Sequence, residues 1–219
     1  MYNLHCHSLL SDGLLLPSEV AVHYQSMGYK VIAITDHVDY SNIDITVDAI
    51  VKFASHWPKK SSIKVMPGVE LTHVPIEQFL PLARHARKRG AKIIVGHGET
   101  LTEPVTKGTN RAAIMAGVDI LAHPGLITEA EVKLAKAKGV FLEITSRRGH
   151  CDTNMHVAGL ALKYGARLIL STDSHSPEDI IAAKDLNNTG LKAGLEEKRI
   201  KEIYSDTQGL IRRRLNEKK

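Results

Sequence analysis

The sequence predicts a single α/β domain whose parallel strands close, or nearly close, into a barrel. Three observations predict it. Strand-like apolar runs alternate with helix-like segments along the chain, which implies parallel strands joined by right-handed crossovers. Seven such runs fit within 219 residues, a length that one barrel often fills. Nearly every run stops on a histidine or a carboxylate, as expected where the C-terminal strand ends of a barrel face one active site. An open, doubly wound sheet ranks second, because it would not bring seven strand ends around one point.

Taken in order, the first strand is LHCH (Leu4 to His7). After the loop SLLSDGLLLP, the run Pro17, Ser18, Glu19 signals a helix start, and Gly28 closes a helix of about Ser18 to Met27. VIAITDH (Val31 to His37) leads to a helical stretch near Thr46 to Trp57. KVMPGVE (Lys64 to Glu70) leads to IEQFLPLARHARKRG, whose basic last turn and Gly90 complement the helix dipole. Pro81 inside it predicts a kink or a late start. KIIVGH (Lys92 to His97) precedes a polar loop and NRAAIMAG; DILAH (Asp119 to His123) precedes TEAEVKLAKAKG. VFLEI (Val140 to Ile144) carries Glu143 and precedes MHVAGLALKYG. After LILSTDSH (Leu168 to His175), SPED opens another helix, and segments near Leu191 to Ile203 and Gly209 to Leu215 finish the chain. No repeat, low-complexity stretch or linker divides it, so residues 1–219 read as one domain.

Composition supports this plan. Hydrophobic residues make up 43% but aromatics only 5%, so the core is built from Val, Ile, Leu and Ala, as suits buried parallel strands. The net charge of +5 is a mild surplus that suits an anionic substrate. The basic run from Arg212 to Lys219 reads as a solvated helix end and not as a nucleic-acid arm. Two cysteines, Cys6 and Cys151, without a CxxC, argue against a disulfide scaffold. Cys6 lies between His5 and His7, so strand alternation turns it into the packing. The chain enters its first strand without a basic-then-apolar leader, and no apolar run approaches the ~20 residues that span a bilayer. The expectation is a cytoplasmic protein with no membrane association.

His5 and His7, two apart on a strand, share a face, and Asp173 and His175 repeat that geometry. The succession HCHS, SDG, TDH, PGVE, GHGE, AHPG and STDSH closely resembles the polymerase and histidinol phosphatase (PHP) superfamily. The resemblance covers residues 2 to 176, leaving helices over about 177–219. It implies a distorted (β/α)7 TIM-like barrel holding two or three divalent metal ions. By resemblance, His5, His7, Glu70 and Asp173 hold a first metal. Glu70, His97 and His123 hold a second, with Glu70 bridging. Asp12, His37 and His175 hold a third; some relatives have histidine in place of Asp12. Glu70 and Asp173 are expected to be essential for catalysis. Mixed imidazole and carboxylate donors suit zinc, manganese or iron. The chemistry implied is hydrolysis of a small phosphomonoester by metal-bound hydroxide.

Other residues near the strand ends carry weaker expectations. Arg147 and Arg148, just past a strand end, are candidates to clamp a substrate phosphate in a guanidinium fork, Arg147 ahead. Asp36 suits a turn, or support of a metal ligand, as well as catalysis, and Glu143 suits either orientation of a ligand or a satisfied polar place in the barrel. His73 and His150 could reach the rim, His150 as a proton donor, although a plain loop role is the simpler reading of each. Glu99 fits a supporting bond or substrate reading. His23, His56, His85 and His156 fall in helices away from the strand ends. Neither a P-loop nor a dinucleotide fingerprint is present. Three competing functions remain: a nuclease or nucleotide phosphodiesterase, disfavoured by the lack of a basic stripe interleaved with aromatics; a non-catalytic metal-binding regulatory module; and an amidohydrolase acting on C–N bonds, disfavoured because no lysine ends a strand.

Overall fold

The computed structural model describes residues 1–216. The strands are β1 (Tyr2–Asn3), β2 (Val31–Ile34), β3 (His37–Val38), β4 (Lys64–Leu71), β5 (Ile93–His97), β6 (Ile120–Ala122), β7 (Phe141–Thr145) and β8 (Leu168–Ser171). Every pairing is parallel, in the order β1-β2-β4-β5-β6-β7-β8, with β3 beside β4. Here β2 and β3 are two pieces of one predicted strand. The ring is joined by a parallel bridge between Cys6 and Ser174, with His7 N–H donating to Ser174 O at 2.9 Å and Asp173 N–H to His5 O at 3.0 Å. The result is a nearly closed, distorted barrel of seven parallel strands, as the alternation of elements implied.

Among the described residues eight helices pack around it: α1 (Pro17–Ser26), α2 (Ile43–His56), α3 (Phe79–Arg89), α4 (Thr109–Ala116), α5 (Glu129–Lys138), α6 (Asn154–Tyr164), α7 (Leu186–Lys192) and α8 (Glu197–Asn216). Pro17 opens α1, with the Glu19 carboxylate accepting from Leu16 N–H. Pro81 falls in the first turn of α3, where its missing N–H costs nothing, so the late start is realised. Thr128 and Glu131 cap α5 reciprocally, and Gly139 ends it in the left-handed region.

Four expectations need correction. The first strand is assigned at Tyr2–Asn3, and His5 to His7 continue it as extended chain held by the single bridge. α2 starts at Ile43, earlier than Thr46, because Asn42 already begins the turn while its side chain bonds His37 O. SPED forms only a 3-10 turn, Pro177–Asp179, because Asp179 folds back to accept from the His175 and Ser176 N–H groups. The two last helical segments are differently divided: α7 ends at Lys192, and α8 runs unbroken through Gly209. A mid-helix glycine costs about 1 kcal/mol. Burial of Ile203, Leu210 and Ile211 along the same helix outweighs that, each aliphatic contributing roughly 1.5–3 kcal/mol.

Strand alternation divides the core into two layers. Ile32, Ile34, Ile94, Leu121 and Leu142 face the helices. Ala33, Met66, Ile93, Val95, Ile120, Phe141 and Ile169 fill the barrel interior, and Leu210 and Ile211 of α8 join them. Arg214 of α8 and Arg87 of α3 both bind the buried Asp119 carboxylate at 2.6 Å, just before β6 begins. Helix α8 therefore closes the N-terminal end of the barrel, and the opposite end is left for chemistry. Among the described residues no helix is long and apolar enough to cross a membrane.

Candidate metal centre

The interior phase of each strand carries straight on into the site. Ile93 and Val95 point inward, so His97 does too; Met66 leads to Glu70, Phe141 to Glu143, and Ile169 to Asp173 by the same period of two. Parallel register places His37 of β3 beside Glu70 of β4. His123 reaches the site by leaving the regular phase, one residue past the inward-facing Ala122. His123 and Asp173 both have positive φ, 26° and 52°, and the third such non-glycine residue, His73 at 51°, lines the same cavity. Strained backbone of this kind persists only where the surrounding structure enforces it.

Three groups of donor atoms result. His5 Nε2 and His7 Nε2 lie 3.1 Å apart. Glu70 Oε2 is 3.4 Å from the first and 3.5 Å from the second, and Asp173 Oδ1 is 3.4 and 3.1 Å from them. Donors sharing one ion at ~2.0–2.2 Å in a tetrahedron sit roughly 3.3–3.6 Å apart. Asp12, His37 and His175 meet in the same way: Asp12 Oδ1 is 3.4 Å from His37 Nε2, Asp12 Oδ2 is 3.4 Å from His175 Nε2, and the two nitrogens are 3.5 Å apart. In the third group Glu70, His97 and His123 gather, with Glu70 Oε1 3.7 Å from His123 Nε2. All nine residues named from sequence thus come to one end of the barrel.

The surroundings fix which nitrogen faces inward. His5 Nδ1 donates to Glu143 Oε1 at 2.7 Å, which makes Nε2 the nitrogen that faces the cluster. His97 Nδ1 donates to Gly98 O and His175 Nδ1 to Asp173 O, each at 3.1 Å, with the same consequence. Glu143 also accepts from Ser171 Oγ at 2.5 Å and from His123 N at 2.9 Å, so it holds two donor residues at once.

The charges fit cations. Neither oxygen of the fully buried Glu70 receives a hydrogen bond of good geometry, although His37 Nδ1 lies 3.0 Å from Oε2. Buried carboxylate oxygens without donors are costly, and a cation between the groups removes that cost. Burial alone would raise the Glu70 pKa, yet His5 and His37 pull it well below the usual carboxylate range. Burial opposes charge on His5, but Glu143, Asp173 and Glu70 outweigh it and raise its pKa well above the usual imidazole range. His37 is raised to about 10 against its own burial, by Asp12 and Glu70. His7 and His123 go the other way, pushed down by burial and by neighbouring imidazoles. Burial lifts Asp173 to about 6. The donor set suits divalent ions of the zinc, manganese or iron type.

The mouth above these groups is a cavity of about 210 Å³. Arg147 lines it, with Nη1 3.0 Å from Asp179 Oδ2 and 3.3 Å from Asp173 O. Arg148 is exposed and does not line it. His73 and His150 both line it. Asp36 instead braces the loop after β1, accepting from Ser8 N, Ser8 Oγ and Ser11 Oγ. Glu99 Oε1 caps α4, accepting from Gly108 N at 2.9 Å and Asn110 N at 3.0 Å, so it is a support and does not face the cavity. Cys6 is fully buried, its thiol donating to Ala33 O. His85 pairs with Asp44, and His156 bonds Ile127 O, both away from the cavity. A larger cleft of about 450 Å³ lies between the segment after β7 and α7, with no histidine in its lining.

Sequence reading missed Glu103. It lies in the loop between β5 and α4 and brings Oε2 to 3.1 Å from His97 Nε2 and 3.2 Å from His73 Nε2, and Oε1 to 3.3 Å from His150 Nε2. Its only sequence signal is a carboxylate six residues past His97 in a polar loop.

Barrel, strand-end cluster and order of motifs define one class of protein, and comparison with known proteins agrees. Residues 3–146 match the model of the PHP domain family, and the chain belongs to that family. It is 42% identical over 204 residues to an uncharacterized protein of Methanocaldococcus jannaschii, covering 91% of this chain and 92% of that one. A protein of Clostridium novyi named as a probable phosphatase is 27% identical over 190 residues, 79% of this chain and 78% of its own. Among solved structures, a candidate histidinol phosphatase from Listeria monocytogenes has the same fold, with a TM-score of 0.60 at 10% identity over 82% of this chain and 97% of that one.

Proposed function

We propose that this protein is a metal-dependent phosphoesterase that hydrolyses a small phosphomonoester. The observation that carries the reading is the packing of imidazole nitrogens and carboxylate oxygens 3.1–3.5 Å apart around His5, His7, Glu70 and Asp173, with orphaned Glu70 oxygens at the centre. The similarity to a Clostridium novyi protein named as a probable phosphatase supports it. His5, His7, Glu70 and Asp173 would hold one ion, Glu70, His97 and His123 a second, and Asp12, His37 and His175 a third. Two such ions lower the pKa of a bound water and draw charge from phosphoryl oxygens.

The chain's own residues do the rest. Glu143 locks the His5 ring so that Nε2 faces the cluster. Glu70, with one oxygen toward His5 and His7 and the other toward His123, ties the first two groups together. Arg147, kept at the mouth by Asp179, presents the rest of its guanidinium fork to an entering phosphate. The small, polar cavity suits a monoester better than a polynucleotide, and the mild positive charge favours an anion.

The test is a side-by-side assay of metal-loaded protein on p-nitrophenyl phosphate, its bis-ester and a labelled oligonucleotide. Preferential hydrolysis of the monoester is expected. Preference for the bis-ester or the oligonucleotide would establish a phosphodiesterase or nuclease instead, and inactivity on all three and on a panel of phosphorylated metabolites would leave a regulatory metal-binding module.

A further inference from the structure

We infer that Glu103 is a fourth protein donor to the ion held by Glu70, His97 and His123, an inference that rests on the metal-binding reading above. The first group supplies four protein donors, whereas the Glu70, His97 and His123 group supplies three. Glu103 Oε2 lies 3.1 Å from His97 Nε2, the same spacing that separates His7 Nε2 from Asp173 Oδ1 in the first group. His97 spends its Nδ1–H on Gly98 O, so Nε2 turns a lone pair toward the carboxylate. Two acceptors that close repel unless a proton or a metal ion lies between them. A proton would make a plain His97–Glu103 ion pair; an ion makes Glu103 a ligand.

The position of Glu103 is built and not a chance of an exposed side chain. Gly125 allows the loop to pass close: a Cβ there would stand 1.9 Å from Glu99 O. Gly149 does the same for Thr102, whose Cγ2 would be 2.9 Å from its Cβ. Glu99 anchors the end of the loop to α4 through Gly108 N and Asn110 N. His150, bonded through Nδ1 to Thr100 Oγ1 at 2.8 Å, turns Nε2 toward the second oxygen of Glu103 at 3.3 Å. The Thr100 hydroxyl can donate to Nδ1, which leaves Nε2–H to donate to Glu103 and hold Oε2 on the His97 side. Such outer partners of a ligating carboxylate commonly tune metal affinity about 10–100-fold.

The two readings of the His97–Glu103 contact predict opposite signs for one experiment. Apo protein and Glu103→Gln are titrated with Co²⁺, followed by calorimetry and by the visible absorption of the bound ion. If Glu103 is a ligand, Glu103→Gln weakens one Co²⁺ step by about tenfold or more and changes the band shape of that step, with the other steps retained. If the contact is an ion pair, the variant frees His97 from a competing proton, so the same step is unchanged or tighter and its spectrum is that of the wild type; that result overturns the proposal and leaves the metal centre intact. Wild-type protein that takes up no Co²⁺ overturns both this proposal and the reading on which it rests. Because Gln is isosteric and the Glu103 side chain is 37% exposed, the variant is expected to fold, which circular dichroism checks directly.

Discussion

Replacing Glu143 by glutamine tests how the barrel interior sets the chemistry of its rim. The carboxylate is fully buried and receives three donors: His5 Nδ1 at 2.7 Å, Ser171 Oγ at 2.5 Å and His123 N at 2.9 Å. Glutamine has one acceptor oxygen and an NH2 in place of the other. If its oxygen serves His5 and Ser171, the NH2 faces the His123 amide; if it is flipped, the NH2 faces His5 Nδ1–H. Either way a buried donor is left against a donor, at a cost of about 1–3 kcal/mol, and the remaining bonds lose their charge assistance. For a chain of this length that lowers Tm by roughly 2–4 °C per kcal/mol. The functional consequence is separate. With its partner neutral, His5 is free to take the tautomer that protonates Nε2, the atom that faces Glu70 and Asp173. Metal affinity should then fall about 10–100-fold, as is common for such supports. The assay is a Zn²⁺ titration of apo protein with a competing chelator, beside a thermal melt. A variant that melts lower but binds metal within about threefold of wild type would refute the claim that Glu143 sets the His5 tautomer, and leave it only a satisfied polar residue.

Four further outcomes are expected. Glu70→Gln should remove most activity and lower metal content, because a neutral amide is a poor cation ligand; metal analysis together with turnover checks it. Arg147→Ala should mainly raise KM while Arg148→Ala changes neither parameter, since only Arg147 lines the cavity; steady-state kinetics with p-nitrophenyl phosphate separate them. Metal affinity should rise with pH across the neutral range. His5, raised well above the usual imidazole range, and His37, raised to about 10, hold protons in the metal-free cluster, and Asp173, raised to about 6, holds one below that pH; each must lose its proton to bind an ion. Calorimetry in buffers of different ionisation enthalpy should therefore show proton release on binding, and its absence at pH 7 would contradict the charge assignments. Asp119→Asn should destabilise the fold by several kcal/mol, because it removes the buried negative charge that Arg87 and Arg214 both bind, yet keep full metal stoichiometry, since it acts at the opposite end of the barrel.

What was legible in the sequence was what a period of two can carry. Ile93, Val95 and His97 occupy one phase, as do Phe141 and Glu143, so an apolar run ending on a donor reads directly as a strand aimed at the site. The nine donor residues followed from that phase together with the resemblance of their motifs to one family. His123 and Asp173 were found as residues, but their left-handed backbone was not, since it arises from how neighbouring strands force the chain to turn. Glu103 was missed because its place depends on the close passage of its loop past Gly125 and Gly149, a contact between segments far apart in sequence. Glu99 was open between a supporting bond and a substrate contact, because its sequence position beside His97 does not show that its side chain turns away from the cavity to cap α4 as a support. Helix α8 was divided at Gly209 because local propensity cannot see the apolar barrel end on which Leu210 and Ile211 rest.

The central claim is that these converging imidazoles and carboxylates hold divalent metal ions that the chemistry requires. The most direct measurement is metal stoichiometry and phosphomonoesterase rate determined on the same sample, before chelation, after chelation and after metal is restored. The account predicts two or three equivalents of a first-row divalent ion, loss of activity on removal with the fold retained, and recovery on reloading. A folded protein that binds less than about one equivalent, or that hydrolyses the monoester undiminished after stripping, would contradict it.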